Sequence, residues 1–201
     1  SVVIKVQSSV GLNRECKGID WLSWNLQKNS KFGLMRSLVS LERISKMSTR
    51  GFFGFIKGGK IHGVWSPSDS YVKGLGVTLL EKLCPMTPAK IKYFFNKKLE
   101  FVGKDIKLPD DQLCHAWDLM ELNWNARGKK FFAIDDGGCV DSMFCDYAYI
   151  YSFKYHQLQC YRHGIEYDPF ATIKLNMGLK EARELLILKE REYNEDIKNN
   201  F

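Results

Sequence analysis

The 201-residue sequence lacks long apolar runs, low-complexity stretches and a secretory leader. A helix that spans a bilayer needs about 20 mostly apolar residues, and no segment here reaches that length. The apolar start at residues 1–6 is too short for a signal-peptide core and is followed by Gln7, Ser8 and Ser9. The sequence therefore predicts a cytoplasmic protein that does not associate with membranes.

Closely paired cysteines are also missing. The six cysteines contain no C-x-x-C pair and are too sparse for a disulfide scaffold, so reduced thiols are expected. A zinc site at His156, Cys160 and His163 lacks a recognisable fourth ligand. Cys139 or Cys145 as a thiolate nucleophile has no base that the spacing selects. We therefore expect no metal and no cofactor.

Positive charge is concentrated in the first quarter of the chain. Residues 1–46 hold eight Lys/Arg and three Asp/Glu, so this segment carries +5 of the net charge of +7. Apolar residues recur there at three- and four-residue steps, which predicts a helix over residues 31–46 with a basic face. We interpret residues 1–46 as a basic N-terminal extension, residues 47–201 as a single domain, and the asymmetry as a sign of an anionic partner.

Two β-hairpins are predicted in the remaining chain. Aromatic, β-prone runs at residues 51–56 and 61–65 flank a Gly58-Gly59 turn, and a second pair of runs at 146–153 and 158–162 flanks residues 154–157. Residues 130–134 predict a further, buried strand. These features predict an α+β fold with a mainly antiparallel sheet built from hairpins.

Helices are expected to cover that sheet. Residues 77–83 predict a helix that ends before Pro85, and Thr87 with Pro88 has the pattern of an N-cap followed by proline at the first helical position. A short helix is expected within residues 111–123. Residues 179–196, rich in Leu, Glu, Lys and Arg, predict a C-terminal helix.

Lysines and arginines interleaved with aromatic residues favour nucleic-acid binding, because cations contact phosphates while rings stack on bases. RNA or single strands are preferred over duplex. An amphipathic helix with inward aromatics and solvated lysines is the structural alternative for residues 90–98. The candidate binding residues are Arg36, Arg43, Lys46, Arg50, Lys57, Lys60, Lys92, Tyr93, Lys97, Lys98, Arg127, Lys129 and Lys130.

An acidic cluster offers an enzyme alternative, a hydrolase or transferase. Its candidate catalytic residues are Asp69, Asp135, Asp136 and Asp141 with Arg50. An Asp-Asp-Gly-Gly stretch between two strands also has the composition of a turn, in which aspartates bind nearby amides. In that structural reading Arg50 pairs with the carboxylates at positions 135, 136 and 141. Because no complete set of nucleophile, base and orienting group is visible, non-catalytic binding is the preferred function.

Three motifs carry a family resemblance. They are Met-Ser-Thr-Arg-Gly at residues 47–51, Asp-Ser-Tyr with Gly-Leu-Gly at 69–76, and Asp-Asp-Gly-Gly-Cys with Cys-Asp-Tyr-Ala-Tyr at 135–149. In this order they resemble an uncharacterised family of phage and microbial proteins whose members begin Met-Gly-Thr-Arg-Gly. Ser48, Val72 and the basic extension depart from the pattern. The resemblance implies a phage source, but the family has no established activity that could be transferred to this chain. A phage source makes a protein-binding inhibitor of host defence a further alternative.

We predict that all six cysteines are reduced in protein purified from a reducing cytosol. Thiol blocking of the unfolded chain followed by mass spectrometry should then find six labels. Reproducible loss of two labels would reveal a disulfide and contradict the predicted compartment.

Overall fold

A computed structural model describes residues 49–103, 115–126, 128–137, 140, 145–165 and 167–200. All of these residues belong to one compact unit, Met47–Phe201. The predicted helix at residues 31–46 lies outside the described residues. Seven strands lie within them: β1 Gly51–Lys57, β2 Lys60–Ser66, β3 Leu99–Val102, β4 Phe131–Ile134, β5 Tyr147–Ser152, β6 Gln157–Arg162 and β7 Ala171–Lys174.

Five strands form the main sheet in the order β2-β1-β5-β6-β7, and β3 pairs with β4 in a small second sheet. Both predicted hairpins are confirmed, because β1 pairs antiparallel with β2 and β5 pairs antiparallel with β6. Gly58 and Gly59 both adopt positive φ, as a two-residue hairpin turn requires. The two hairpins meet through a parallel pairing of β1 with β5.

Helices cover one face of this sheet. A helical segment Val72–Gly76 leads into α1 Val77–Leu83, and α2 Pro88–Tyr93 continues into a wider turn, Phe94–Lys98. The Thr87 side chain accepts a hydrogen bond from the amide of Lys90, so the predicted N-cap is confirmed. α3 Ala116–Glu121 and α4 Leu179–Asn200 complete the helices of the described residues.

The two faces of the sheet have different cores. Alternate side chains of β1 and β5 point to opposite faces, so Phe53 and Tyr149 pack with the helices, whereas Phe52 and Ile150 pack on the other face. The helical side is the larger cluster. On the far side, Cys145 belongs to a smaller cluster of buried residues.

The expected α+β class, mainly antiparallel sheet and C-terminal helix are confirmed. The exceptions to antiparallel pairing are β1 with β5 and β3 with β4, both of which run parallel.

Within the ranges given above, no helix combines the length and apolar character needed to span a membrane. Cys84 and Cys160 are free thiols, and the Cys145 thiol donates to the Tyr147 carbonyl at 3.1 Å.

Gly63 should be intolerant of substitution. It lies opposite Gly54 in the hairpin, and a Cβ atom there would collide with the backbone oxygen of Phe53 and with the ring of Phe52. We expect Gly63→Ala to lower the free energy of unfolding by roughly 2–4 kcal/mol, since overpacking must displace backbone. Gly103→Ala is the control, because a Cβ at Gly103 meets nothing within 4 Å. Equal denaturant midpoints for the two variants would contradict the packing argument.

Candidate nucleic-acid interface

The acidic loop, residues 135–137, lies against the outer edge of β2. The Asp135 carboxylate accepts hydrogen bonds from the amides of Gly63 (3.2 Å) and Gly137 (3.1 Å). The Asp136 carboxylate accepts one from the Trp65 amide (3.3 Å), and the Asp136 amide donates to the Gly63 carbonyl (2.9 Å). These bonds satisfy edge groups of the sheet, as natural proteins commonly do by covering an edge with a loop. Asp135 and Asp136 therefore stabilise the loop and its contact with β2, as the turn interpretation expects.

Asp135 also binds His62, a partner that sequence reasoning did not predict. Its Nδ1 lies 2.7 Å from Asp135 Oδ2, and both side chains are about 30% exposed, at 29% and 28%. The His62 ring also packs near Phe55 and Phe101, with ring centroids 6.1 and 5.9 Å apart. The amides of Gly63 and Gly137 hold the Asp135 carboxylate in place, and the carboxylate in turn holds the imidazole in one orientation.

Arg50 pairs with Asp146, and not with Asp135 or Asp136 as expected. The Arg50 amide donates to Asp146 Oδ2 at 2.8 Å, and its Nε lies 3.6 Å from the same atom. The two side chains are 43% and 34% exposed, and an ion pair this exposed contributes at most about 1 kcal/mol. This pair joins the N-terminal ends of β1 and β5. Asp141 lies outside the described residues.

A catalytic or metal-binding assembly of the candidate aspartates is not seen in the described part of the chain. Asp69 is exposed at φ 54°, and its carbonyl accepts a hydrogen bond from the Leu75 amide. Among these residues no three His, Cys, Asp or Glu side chains are grouped as metal ligands would be. Of the zinc candidates, Cys160 is fully buried and His156 binds the Tyr151 hydroxyl at 2.9 Å.

Four of the predicted binding lysines meet at one cleft, here called the basic cleft. Lys57 comes from the end of β1, Lys97 and Lys98 from the turn after α2, and Lys130 from the residue before β4. The cleft has a volume of about 450 Å³. Glu100 supplies the single carboxylate among the described lining residues. Local charge in the cleft is therefore strongly positive.

Aromatic rings form the wall of the basic cleft beneath these lysines. The rings of Phe55 and Phe95 lie 4.5 Å apart between centroids, and Phe101 meets Phe55 edge-on at 5.6 Å. Phe55 and Phe95 are buried, whereas Phe101 is half-buried and His62 also lines the cleft. An apolar wall with a few convergent polar groups is typical of ligand sites.

Lys98 differs from the other lysines of the cleft, which corrects its assignment to a solvated face. Its side chain is 8% exposed, and its ammonium group donates to the Trp124 carbonyl at 3.5 Å. Lys57, Lys97 and Lys130 are exposed. Tyr93 is 57% exposed and lines a neighbouring cleft that also contacts Lys98.

The remaining candidates are dispersed. Lys60 and Lys129 are exposed but do not line the basic cleft, and the same holds for Lys92 on α2. Arg50 precedes the seven-residue β1 whose far end carries Lys57, a separation of roughly 20 Å at strand spacing. Arg50 therefore does not share a site with the cleft. Arg36, Arg43, Lys46 and Arg127 lie outside the described residues.

A second polar network holds α4 on the sheet. The Tyr147 hydroxyl donates to Glu190 at 2.6 Å and accepts from Arg162 at 2.6 Å. Burial raises the pKa of Tyr147, and the hydrogen bond to Glu190 raises the pKa further. Sequence reasoning missed this network, since no spacing rule links positions 147, 162 and 190.

Comparison with protein-family models, curated proteins and solved structures finds no match to this chain.

The Asp135 side chain should stabilise the folded protein. Asp135→Ala removes the acceptor of two part-buried amides and the partner of His62, so we expect the free energy of unfolding to fall by roughly 1–3 kcal/mol. The matched control is Asp168→Ala, an exposed position where a change within about 0.5 kcal/mol is expected. Denaturant unfolding of both variants measures the difference. A stabilised Asp135→Ala protein would instead point to crowded, functional carboxylates.

Proposed function

We propose that this chain is a non-catalytic nucleic-acid-binding protein, and that a single strand of RNA or DNA binds in the basic cleft. The observation that carries the proposal is the convergence of Lys57, Lys97 and Lys130 from three separate segments on one aromatic-walled cleft. Phosphate contacts by such cations supply most of the sequence-independent affinity for nucleic acids.

A single strand suits this cleft better than a duplex. Bases of a single strand are free to leave the stack and pack against aromatic side chains, and Phe101 and His62 are the partly exposed rings of the cleft. The cleft volume of about 450 Å³ lies within the range of ordinary small-ligand sites. It therefore matches a nucleotide-sized group more closely than a double helix.

The hydrolase or transferase alternative has weaker support from the geometry. It requires Asp135 and Asp136 to face a substrate, yet both carboxylates accept hydrogen bonds from β2. Arg50 pairs instead with Asp146, the residue before β5. The alternative of a host-defence inhibitor rests on the resemblance to phage proteins, which implies no activity.

Salt dependence tests the phosphate contacts. On a single strand, each neutralised phosphate contributes about −0.7 to the slope of log affinity against log salt, so three lysine contacts should give a slope of about −2. Fluorescence anisotropy with a labelled oligouridylate of about eight nucleotides, within the usual range of single-strand site sizes, measures the slope. An affinity independent of salt, or no binding at low salt, would refute the proposed function.

A matched pair of triple variants locates the site. Lys57, Lys97 and Lys130, each changed to Gln, should lower affinity at least about tenfold and flatten the salt slope. The control changes Lys73, Lys174 and Lys180 to Gln. These are also exposed and lie outside the basic cleft, so the net charge changes equally. Equal losses in the two variants would indicate a diffuse effect of charge and contradict the assignment of the cleft.

A further inference from the structure

His62 lines the basic cleft, and its contact with Asp135, which lies outside the cleft lining, is not explained by binding through lysines alone. The loop is already held on β2 without a histidine, because Asp135 accepts from the Gly63 amide and Asp136 is bonded to both Gly63 and Trp65. The imidazole nevertheless binds the Asp135 carboxylate through Nδ1, which leaves Nε2 for another partner. No hydrogen bond to Nε2 is found from the described residues.

The orientation of this imidazole has a chemical consequence. A carboxylate that accepts from Nδ1 keeps the proton there in the neutral ring and stabilises the positive charge of the doubly protonated ring. His62 lines the basic cleft, so the doubly protonated ring can donate from Nε2 to an anion that the lysines hold there. A charge-assisted hydrogen bond of this type is stronger than a neutral one.

We propose that His62, positioned by Asp135, is a phosphate ligand of the basic cleft, and that phosphate binding is accompanied by uptake of one proton on the imidazole. This inference rests on the proposed function and makes it more specific, since the recognised chemical group is a phosphate of the strand. The step balances simply: Nε2 gains a proton from solvent, and the resulting imidazolium donates it in a hydrogen bond to a phosphate oxygen.

The sign of the pH dependence follows from the charges around His62. Asp135 contacts the ring, Lys57 lies at the end of β1 and Lys60 at the start of its own strand, while Lys97, Lys98, Glu100 and Lys130 line the cleft. Histidine side chains in general change charge between about pH 5 and 8, whereas lysines in general stay charged in that interval. Affinity for a phosphodiester, whose charge does not change in this interval, should therefore rise as pH falls.

Two variants separate this role from a structural one. His62→Asn keeps a side-chain donor that can reach Asp135 but has no group that titrates near neutrality. The control is His156→Asn. His156 is also half-buried and also binds through Nδ1, but it lies in the turn between β5 and β6 and is not part of the cleft. Its positive φ of 50° is one that asparagine tolerates.

The test is calorimetric titration at about pH 7 in two buffers of different ionisation enthalpy, which gives the number of protons taken up on binding. The probes are the oligouridylate with and without a 5′-phosphate, and inorganic phosphate alone. We expect net proton uptake for the full-length protein and for His156→Asn, and none for His62→Asn. Asp135→Asn should reduce the uptake, as a positioning residue would.

Each outcome decides a different claim. Strand binding without proton uptake, or with uptake unchanged in His62→Asn, overturns the role of His62 and leaves the proposed function intact. Proton-linked binding of inorganic phosphate that changes in His62→Asn, without binding of either strand, supports His62 and refutes nucleic-acid binding. Absence of binding by all three probes overturns both. Dependence on the 5′-phosphate would identify the recognised group as a terminal phosphate, and equal uptake without it would identify the phosphodiester.

Discussion

The parallel pairing of β1 with β5 is the constraint on which the rest of the described structure depends. It joins two hairpins that are separated by about 80 residues of chain, and it places Phe53 beside Tyr149 and Phe55 beside Tyr151 in register. The Arg50 amide on Asp146 closes one end of this pairing. Because side chains alternate along a strand, the register also decides that Phe55 faces the helices, where it meets Phe95 and Phe101.

The basic cleft follows from that register. Phe55 belongs to both the central core and the cleft wall, so Lys57, two residues further on the same strand, lies on the same face at its rim. Lys97 reaches the cleft from the turn after α2, and Lys130 from the residue before β4. The cationic site is therefore positioned by the core of the domain and does not rest on a single loop.

The carboxylates of Asp135 and Asp136 were the basis of two interpretations of the acidic loop, a structural turn and a functional site. Asp135 and Asp136 cap polar groups at the edge of β2, which protects an edge strand from pairing with another chain. The same contacts place Asp135 against His62. A structural role for the carboxylates and a ligand role for the imidazole are compatible, since His62 binds Asp135 through Nδ1 and its Nε2 is a separate atom.

Short-range patterns in the sequence predicted the local secondary structure. The Gly-Gly turn, the Thr87 cap and the aromatic, β-prone run of residues 147–151 act within a few residues, so both hairpins and the four helices α1 to α4 were predictable. Contacts between distant segments were not. The parallel join of the hairpins, the partner of Arg50 and the choice of His62 depend on how elements pack, and periodicity holds no information about that.

Burial also differs between neighbouring lysines in a way that the sequence did not predict. Lys97 and Lys98 are neighbours in the sequence, yet Lys97 is exposed and Lys98 is enclosed with its ammonium group on the Trp124 carbonyl. The wide helical turn at Phe94–Lys98 sets that difference. A regular amphipathic pattern would have placed both lysines near solvent.

The central claim is that a single strand occupies the basic cleft, and photocrosslinking tests it most directly. An oligouridylate carrying 4-thiouridine should crosslink mainly to peptides that contain His62, Lys97, Phe101 or Lys130, as identified by mass spectrometry after digestion. Unlabelled strand should suppress these crosslinks. Crosslinks confined to residues 1–46, to the Arg50 end of β1 or to α4 would contradict the account, whatever the affinity of the protein for the strand.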